Sequence, residues 1–101
     1  MTAYIIFNYN ILDRIEIEKI RGLLAPILEK YETEVIVASP IKTIEGETYQ
    51  NMVIHKFNSI EDAEQFYYSK EHQEIVAFRQ SITEGWATIV PGYVEAEILV
   101  E

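Results

Sequence analysis

Apolar side chains project from both sides of the first extended segment of this chain, and this feature limits the folds open to it. Residues 4–11 are rich in aromatic and β-branched side chains, which predicts a β-strand. Ile5 and Phe7 lie on one face of that strand, whereas Tyr4 and Ile6 lie on the other. A strand with one solvated face alternates more cleanly between apolar and polar residues. A sheet built on this strand therefore needs a cover on both faces.

The hydrophobic spacing of the remaining sequence predicts the order β-α-β-β-α-β with a further strand at the end. The predicted strands cover residues 4–11, 34–38, 48–57, 86–90 and 94–101. The first predicted helix follows Asp13 and contains Pro26. The second begins at Ser59, has a second start at Ser69 and ends in a left-handed C-cap at Gly85. The serines and Asp13 are typical N-cap residues, and glycine is the usual C-cap residue.

This order is the split β-α-β arrangement of the ferredoxin-like fold, an α+β class with an antiparallel sheet and helices on one face. We expect one domain over residues 1–101, with residues 93–101 as a C-terminal extension strand. The helix-free face would expose a large apolar patch, which monomers seldom tolerate. A second copy of the chain, related by a two-fold axis, is the simplest way to cover this face. We expect a homodimer whose last strand either joins the partner's sheet, which we favour, or folds back.

The charge of the chain disfavours several classes of partner. Acidic side chains number 17 against 8 lysines and arginines, a formal net charge of −9. Nucleic-acid binding needs a basic surface, and anionic membranes attract basic rather than acidic segments. We therefore expect neither nucleic acid nor a membrane as partner.

The residue inventory also narrows the chemistry. The chain has no cysteine, which excludes disulfide, thiolate and cysteine–zinc chemistry. Its two histidines lack the spacing of a metal site, and no phosphate-binding or catalytic motif is present. The first residues lack a basic signal-peptide region, and no apolar run reaches the roughly 20 residues of a membrane helix. We expect a cytoplasmic protein without metal or cofactor.

The segment at residues 57–92 carries a series of motif residues. They are Phe57-Asn58-Ser59-Ile60-Glu61-Asp62-Ala63, Phe66-Tyr67, Ser69, Glu71, Gln73, Phe78-Arg79 and Ile89-Val90-Pro91-Gly92. Through them the chain resembles, over residues 3–92, the bacterial family catalogued as domain of unknown function 1330. The resemblance implies a dimeric α/β barrel, in which two ferredoxin-like sheets face each other with the helices outside. The wider superfamily includes cofactor-free oxygenases, lactone isomerases and haem-handling proteins.

Two basic side chains are candidates for ligand binding. Lys56 shares a strand face with Met52 and Ile54 and would bind an anion, or act as a base, if that face lines a barrel. The alternative is a strand-end lysine that reaches solvent, and the family usually has glutamate at this position. Arg79 lies at an inward helical position and could fork onto a carboxylate ligand. Its alternative role is to tie the helix to a carbonyl or an acidic side chain.

Aromatic and imidazole side chains are further candidates. Tyr9, Tyr67 and Trp86 could stack on a ligand, although aromatic residues at this spacing are more often core. His55 and His72 could act as general bases, with a structural or surface role as the alternative. Because His72 follows a helix start, we expect it at the surface.

Three asparagines, Asn8, Asn10 and Asn51, occupy strand positions that rarely hold this residue. We expect them to place hydrogen bonds near a cleft. Asn51 stands where the resembled family usually has arginine, and we count it among the ligand-binding candidates with Lys56, Arg79, Tyr9 and Tyr67.

The sequence predicts a homodimer that binds a small organic ligand in an apolar cleft. Two alternatives stay open: a cofactor-free oxygenase or isomerase acting on a small organic acid or phenol, and a dimerisation protein without a ligand. The residues identify no catalytic group, so whether the protein is an enzyme stays open at this point.

Overall fold

The predicted order of elements is present in the computed structural model, which describes residues 1–93. The elements are β1 (Ala3–Ile11), α1 (Ile17–Lys30), β2 (Glu34–Pro40), β3 (Asn51–Phe57), α2 (Ile60–Tyr67), α3 (Lys70–Ile82) and β4 (Thr83–Pro91). The α+β fold class is thus confirmed. The strand expected at residues 94–101 lies outside the described residues.

The four strands form one antiparallel sheet in the order β2-β3-β1-β4. In its register Ile5 lies opposite His55 and Ile89, and the neighbouring Ile6 lies opposite Ile54. Because side chains alternate along a strand, the first set shares one face and the second set shares the other. The face with Ile5 carries the helices and the core. The buried core residues are Ala3, Ile5, Phe7, Ile20, Ile27, Phe57, Ala63, Phe66, Ile75 and Ile82.

The starts of α2 and α3 follow the capping serines of the sequence, whereas α1 begins at Ile17 with Glu16, and not Asp13, as its N-cap. The hydroxyl of Ser59 accepts a hydrogen bond from the Asp62 amide at 3.0 Å, and that of Ser69 accepts one from the His72 amide at 3.2 Å. The second start at Ser69 is therefore confirmed, and the helical stretch divides into α2 and α3. The first helix, α1, continues through Pro26. No helix of residues 1–93 is long and apolar enough to cross a membrane.

Gly85 is not the helix C-cap that the sequence predicts. Helix α3 ends at Ile82 with Thr83 already extended, and Gly85 lies within β4, opposite Tyr9 of β1. A Cβ atom at Gly85 would lie 2.0 Å from the carbonyl oxygen of Asn8. The glycine, whose φ is +156°, is thus required by the close approach of two strands.

The third strand begins later than the sequence predicts because asparagine side chains replace its first ladder bonds. The Asn8 amide group accepts from the Tyr49 N–H at 3.1 Å and donates to the Asn51 carbonyl at 2.9 Å. Asn10 accepts from the Gln50 N–H at 2.8 Å. Asn8 and Asn10 thus hold the entry into β3, and a role of the three asparagines in a cleft stays a prediction.

The sheet face opposite the helices carries apolar side chains, as the sequence predicts. Tyr4, Ile6, Met52 and Ile54 are half-buried there, and Trp86 is 47% exposed. Within residues 1–93, no helix covers this open face.

Replacing Gly85 by alanine should lower the free energy of unfolding by roughly 1–3 kcal/mol, because the added methyl group collides with the β1 backbone. Chemical denaturation measures the change. The matched control is Gly22→Ala in α1, where a Cβ meets nothing within 4 Å and helix propensity should add up to about 1 kcal/mol. An unchanged midpoint for Gly85→Ala would show that the strands can separate freely here.

Candidate functional site

A cleft of about 530 Å³ lies between the last turn of α3, the end of α2 and the first half of β4. It exists because the helix-facing positions of β4 carry Gly85 and Ala87, which fill little space above the strand. Tyr9, Tyr67 and Arg79 line it. The lining therefore mixes aromatic rings with polar groups, whereas the sequence predicts an apolar cleft.

Arg79 is the basic side chain that lines this cleft. Its guanidinium carbon lies 5.2 Å from the centre of the Phe7 ring. Its Nε is buried and has no hydrogen-bond partner among residues 1–93, and none of the three ion pairs in that part of the chain includes Arg79. Buried polar atoms in native proteins are nearly always paired. Arg79 is therefore a partly buried cation in the wall of the cleft, and it has no ion-pair partner among residues 1–93.

Tyr9 supplies a phenol beside this cation. Its side chain is half-buried on β1. Burial raises the pKa of its hydroxyl, while the positive charges of Arg21 and Arg79 act in the opposite direction. The hydroxyl is thus protonated at neutral pH and can donate a hydrogen bond into the cleft.

Tyr67 closes the cleft from the helix side. Its ring centre lies 5.1 Å from that of His72 and 5.0 Å from that of Tyr68, both in edge-on contacts. Its carbonyl accepts a hydrogen bond from the Gln73 side chain at 2.7 Å. These contacts hold the end of α2, and with it the Tyr67 ring, in a defined position.

The structure brings together three of the five predicted ligand-binding residues, Tyr9, Tyr67 and Arg79. Asn51 lies opposite Tyr9 in the register, and so on the same sheet face, but it does not line the cleft. Lys56 pairs with Tyr4 on the open face, so the sheet separates it from Arg79.

Two buried histidines lie behind the cleft. His72, expected at the surface, is 3% exposed, because its ring packs 4.5 Å from that of Phe66 and its Nδ1 lies 2.8 Å from the Tyr67 carbonyl. His55 is 2% exposed and contacts the rings of Phe7 and Phe66 at 5.2 and 5.6 Å. Its Nδ1 is buried without a partner among residues 1–93. The surface position predicted for His72 is therefore wrong.

Burial suppresses the charge of both imidazoles. Burial, followed by the charge of His72, lowers the pKa of His55 to about 4, and burial also lowers the pKa of His72. The sequence held a signal for His55, which shares a strand face with the buried Phe57. Within residues 1–93, no group of three or more histidine, aspartate or glutamate side chains is arranged to hold a metal ion.

A protein-family model, described as domain of unknown function (DUF1330), matches residues 2–93 of this chain. Among curated proteins the sequence finds no match.

Solved structures with the same fold share little sequence with this chain. A protein of unknown function from Rhodopseudomonas palustris has a TM-score of 0.73 and 11% identity, over 92% of this chain and 83% of that chain. SnoaB, a cofactor-independent oxygenase from Streptomyces nogalater, has a TM-score of 0.65 and 4% identity, over 92% and 94%. A dimeric ferredoxin-like protein of unknown function from Bacteroides fragilis has a TM-score of 0.60 and 11% identity, over 90% and 96%. These likenesses show the fold.

Acid should destabilise the protein through His55. The unfolded chain takes up a proton at this histidine near pH 6.5, whereas the folded protein, in which the pKa of His55 is about 4, does not. The unfolded state thus binds more protons between these values, so the free energy of unfolding falls as the pH drops, by about 3 kcal/mol in all. Denaturation at a series of pH values measures this slope.

The control for this prediction is His55→Phe, which keeps a flat ring and removes the titrating group. The variant should flatten the slope between pH 6.5 and 4, apart from the part that His72 adds in the same direction. A slope that is identical in the variant would assign the pH dependence to other groups.

Proposed function

The chain belongs to the DUF1330 family, whose model spans residues 2–93, and we propose that it is a homodimer that binds a small organic ligand in the cleft between α3 and β4. One observation carries the proposal. Arg79, with a buried Nε that lacks a partner in residues 1–93, lines an open cleft together with the protonated phenol of Tyr9.

The size and lining of the cleft support a small ligand. Its volume of about 530 Å³ lies within the range of known small-molecule sites, roughly 300–1,000 Å³. Such sites combine apolar walls with a few polar groups that fix orientation. Here the rings of Tyr9 and Tyr67 supply the walls, and the Arg79 guanidinium supplies the orienting group.

The open face of the sheet supports the homodimer. Tyr4, Ile6 and Ile54 lie there half-buried in a single chain, and a contiguous apolar surface of this kind usually marks an interface. A two-fold dimer covers it with the same face of a second copy. The Bacteroides fragilis neighbour with this fold is described as dimeric. In this arrangement Lys56 would lie at or near the interface rather than in the cleft.

We further propose a cytoplasmic setting without nucleic acid as partner. The chain has no cysteine, so it has no disulfide bond that a reducing compartment would break. Its net charge of −9 opposes binding to a phosphate backbone.

A cofactor-free enzyme acting on a small organic acid or phenol would use the same cleft. SnoaB shows that a protein of this fold can be a cofactor-independent oxygenase. In this chain, the cation of Arg79 and the phenol of Tyr9 would stabilise an anion, but neither is a base at neutral pH. The carboxylate of Glu84 also lines the cleft, but it shares the open face with Asn10 and accepts a hydrogen bond from that side chain at 3.1 Å. The described site thus supports binding better than turnover.

A library of small aromatic compounds should contain members that raise the melting temperature and shift the NMR signals of cleft residues. Ala87→Phe places a ring in the cleft and should abolish these shifts. The matched control, Ala77→Phe on the exposed side of α3, should leave them unchanged. A library without cleft ligands would contradict the binding proposal and favour the dimerisation protein without ligand.

Light scattering at micromolar concentration should give the mass of a dimer. Ile54→Asp places a charge on the open face and should yield a monomer, because a buried unpaired carboxylate opposes association. The control is Ile44→Asp, at a position that is 86% exposed, which should remain dimeric. A wild-type monomer, or a dimer that survives Ile54→Asp, would contradict this interface.

A further inference from the structure

We propose that the ligand of the cleft is a planar organic monoanion, an aromatic or conjugated carboxylate whose carboxylate group pairs with the guanidinium of Arg79. This inference rests on the proposed function and narrows it to one chemical class. It follows from the charge, the helix end and the shape of the cleft.

The guanidinium of Arg79 lacks a counter-charge. The Nε of Arg79 is buried without a hydrogen-bond partner, and no carboxylate of residues 1–93 forms an ion pair with this side chain. A guanidinium presents parallel N–H donors that match the two oxygens of a carboxylate. A carboxylate bound in the cleft would therefore neutralise this charge by pairing with the guanidinium on the side that lines the cleft.

The second step is the position of this cation at the end of a helix. Arg79 lies in the last turn of α3, which ends at Ile82. The C-terminal end of a helix carries a partial negative charge, which the arginine offsets in part. A ligand with two negative charges, such as a phosphate monoester, would meet that helix end and a protein of net charge −9. A monoanion fits the electrostatics better.

The nearby Arg21 does not change this balance. Its side chain is 80% exposed and lies 3.6 Å from the carboxylate of Glu18 on the same helix. Unlike Arg79, it has no buried nitrogen that lacks a hydrogen-bond partner, and it does not line the cleft. Arg79 is thus the cation among the lining residues, and the carboxylate of Glu84, which also lines the cleft, is held by Asn10 on the open face of the sheet. One ligand carboxylate therefore matches the charge of Arg79.

The third step is shape. Gly85 and Ala87 leave a floor without large side chains, and the rings of Tyr9 and Tyr67 stand beside it. Aromatic pairs stabilise each other beyond the area that they bury. A flat ring fills this space well, and the Tyr9 hydroxyl can donate to a second polar group on the ligand.

The competing explanation is that Arg79 only offsets the helix end and packs on Phe7. In that case its replacement changes the stability of the protein but not the selection of ligands. An experiment therefore has to separate affinity for a charged ring from affinity for a neutral ring of the same shape.

The test titrates the full chain with benzoate, benzamide and phenyl phosphate, and follows the NMR signals of the cleft residues. We expect benzoate to bind at least tenfold more tightly than benzamide, and no less tightly than phenyl phosphate. Arg79→Gln should lower the benzoate affinity to that of benzamide and leave benzamide unchanged. Arg79→Lys keeps the positive charge but loses the parallel N–H donors, so its affinity for benzoate should be intermediate. Arg14→Gln, which replaces an exposed arginine outside the cleft, should behave as the wild type.

Three results would overturn the assignment. Equal affinities for benzoate and benzamide at the cleft, unaltered by Arg79→Gln, would leave the ligand site in place but remove the carboxylate. Tighter binding of phenyl phosphate would exclude the monoanion. If benzoate does not bind although the aromatic library yields neutral cleft ligands, the carboxylate class is rejected and the ligand site remains. If the library yields no cleft ligand, the proposed function is rejected as well.

Discussion

Phe66 ties the helix layer to the sheet, and the position of the cleft depends on it. Its fully buried ring lies 5.4 Å from that of Phe57 and 5.6 Å from that of His55, both on β3. It also lies 4.5 Å from the His72 ring on α3 and 6.0 Å from the Tyr31 ring at the end of α1. Loss of so large a buried ring costs about 3–5 kcal/mol in other proteins. One side chain thus aligns three helices with one strand, and thereby sets where α3 ends relative to β4.

The cleft combines a rigid frame with an unsatisfied group. Gly85 is required by the approach of β4 to β1, and the same small residue leaves the space above the strand. Arg79 lies at the edge of that space with a buried nitrogen that residues 1–93 do not pair. Buried polar atoms are normally paired, and Arg79 differs from the likewise unpaired His55 because its side chain lines the cleft. This contrast is why the arginine, rather than the surrounding aromatic rings, carries the functional argument.

The open face obeys a different constraint. Its asparagines, Asn8 and Asn10, hold the chain entering β3, so these two polar residues are engaged in the fold. Ile6, Met52 and Ile54 on the same face are apolar and only half-buried in one chain. The two faces of the sheet therefore serve separate purposes: the helix side forms the core and the cleft, and the open side is suited to a second copy.

The sequence by itself determined the elements and their order, and it predicted three of the residues that line the cleft. Local periodicity and capping serines specify helices and strands within a few residues, and Tyr9, Tyr67 and Arg79 were identifiable as unusual or inward-facing side chains. Only the tertiary structure decided that these three share a cleft. It also decided that Gly85 serves a strand contact and that His72 is buried. The physical reason is that such facts depend on register and on how helices cross the sheet, which are set by contacts between residues far apart in the chain and leave no local pattern.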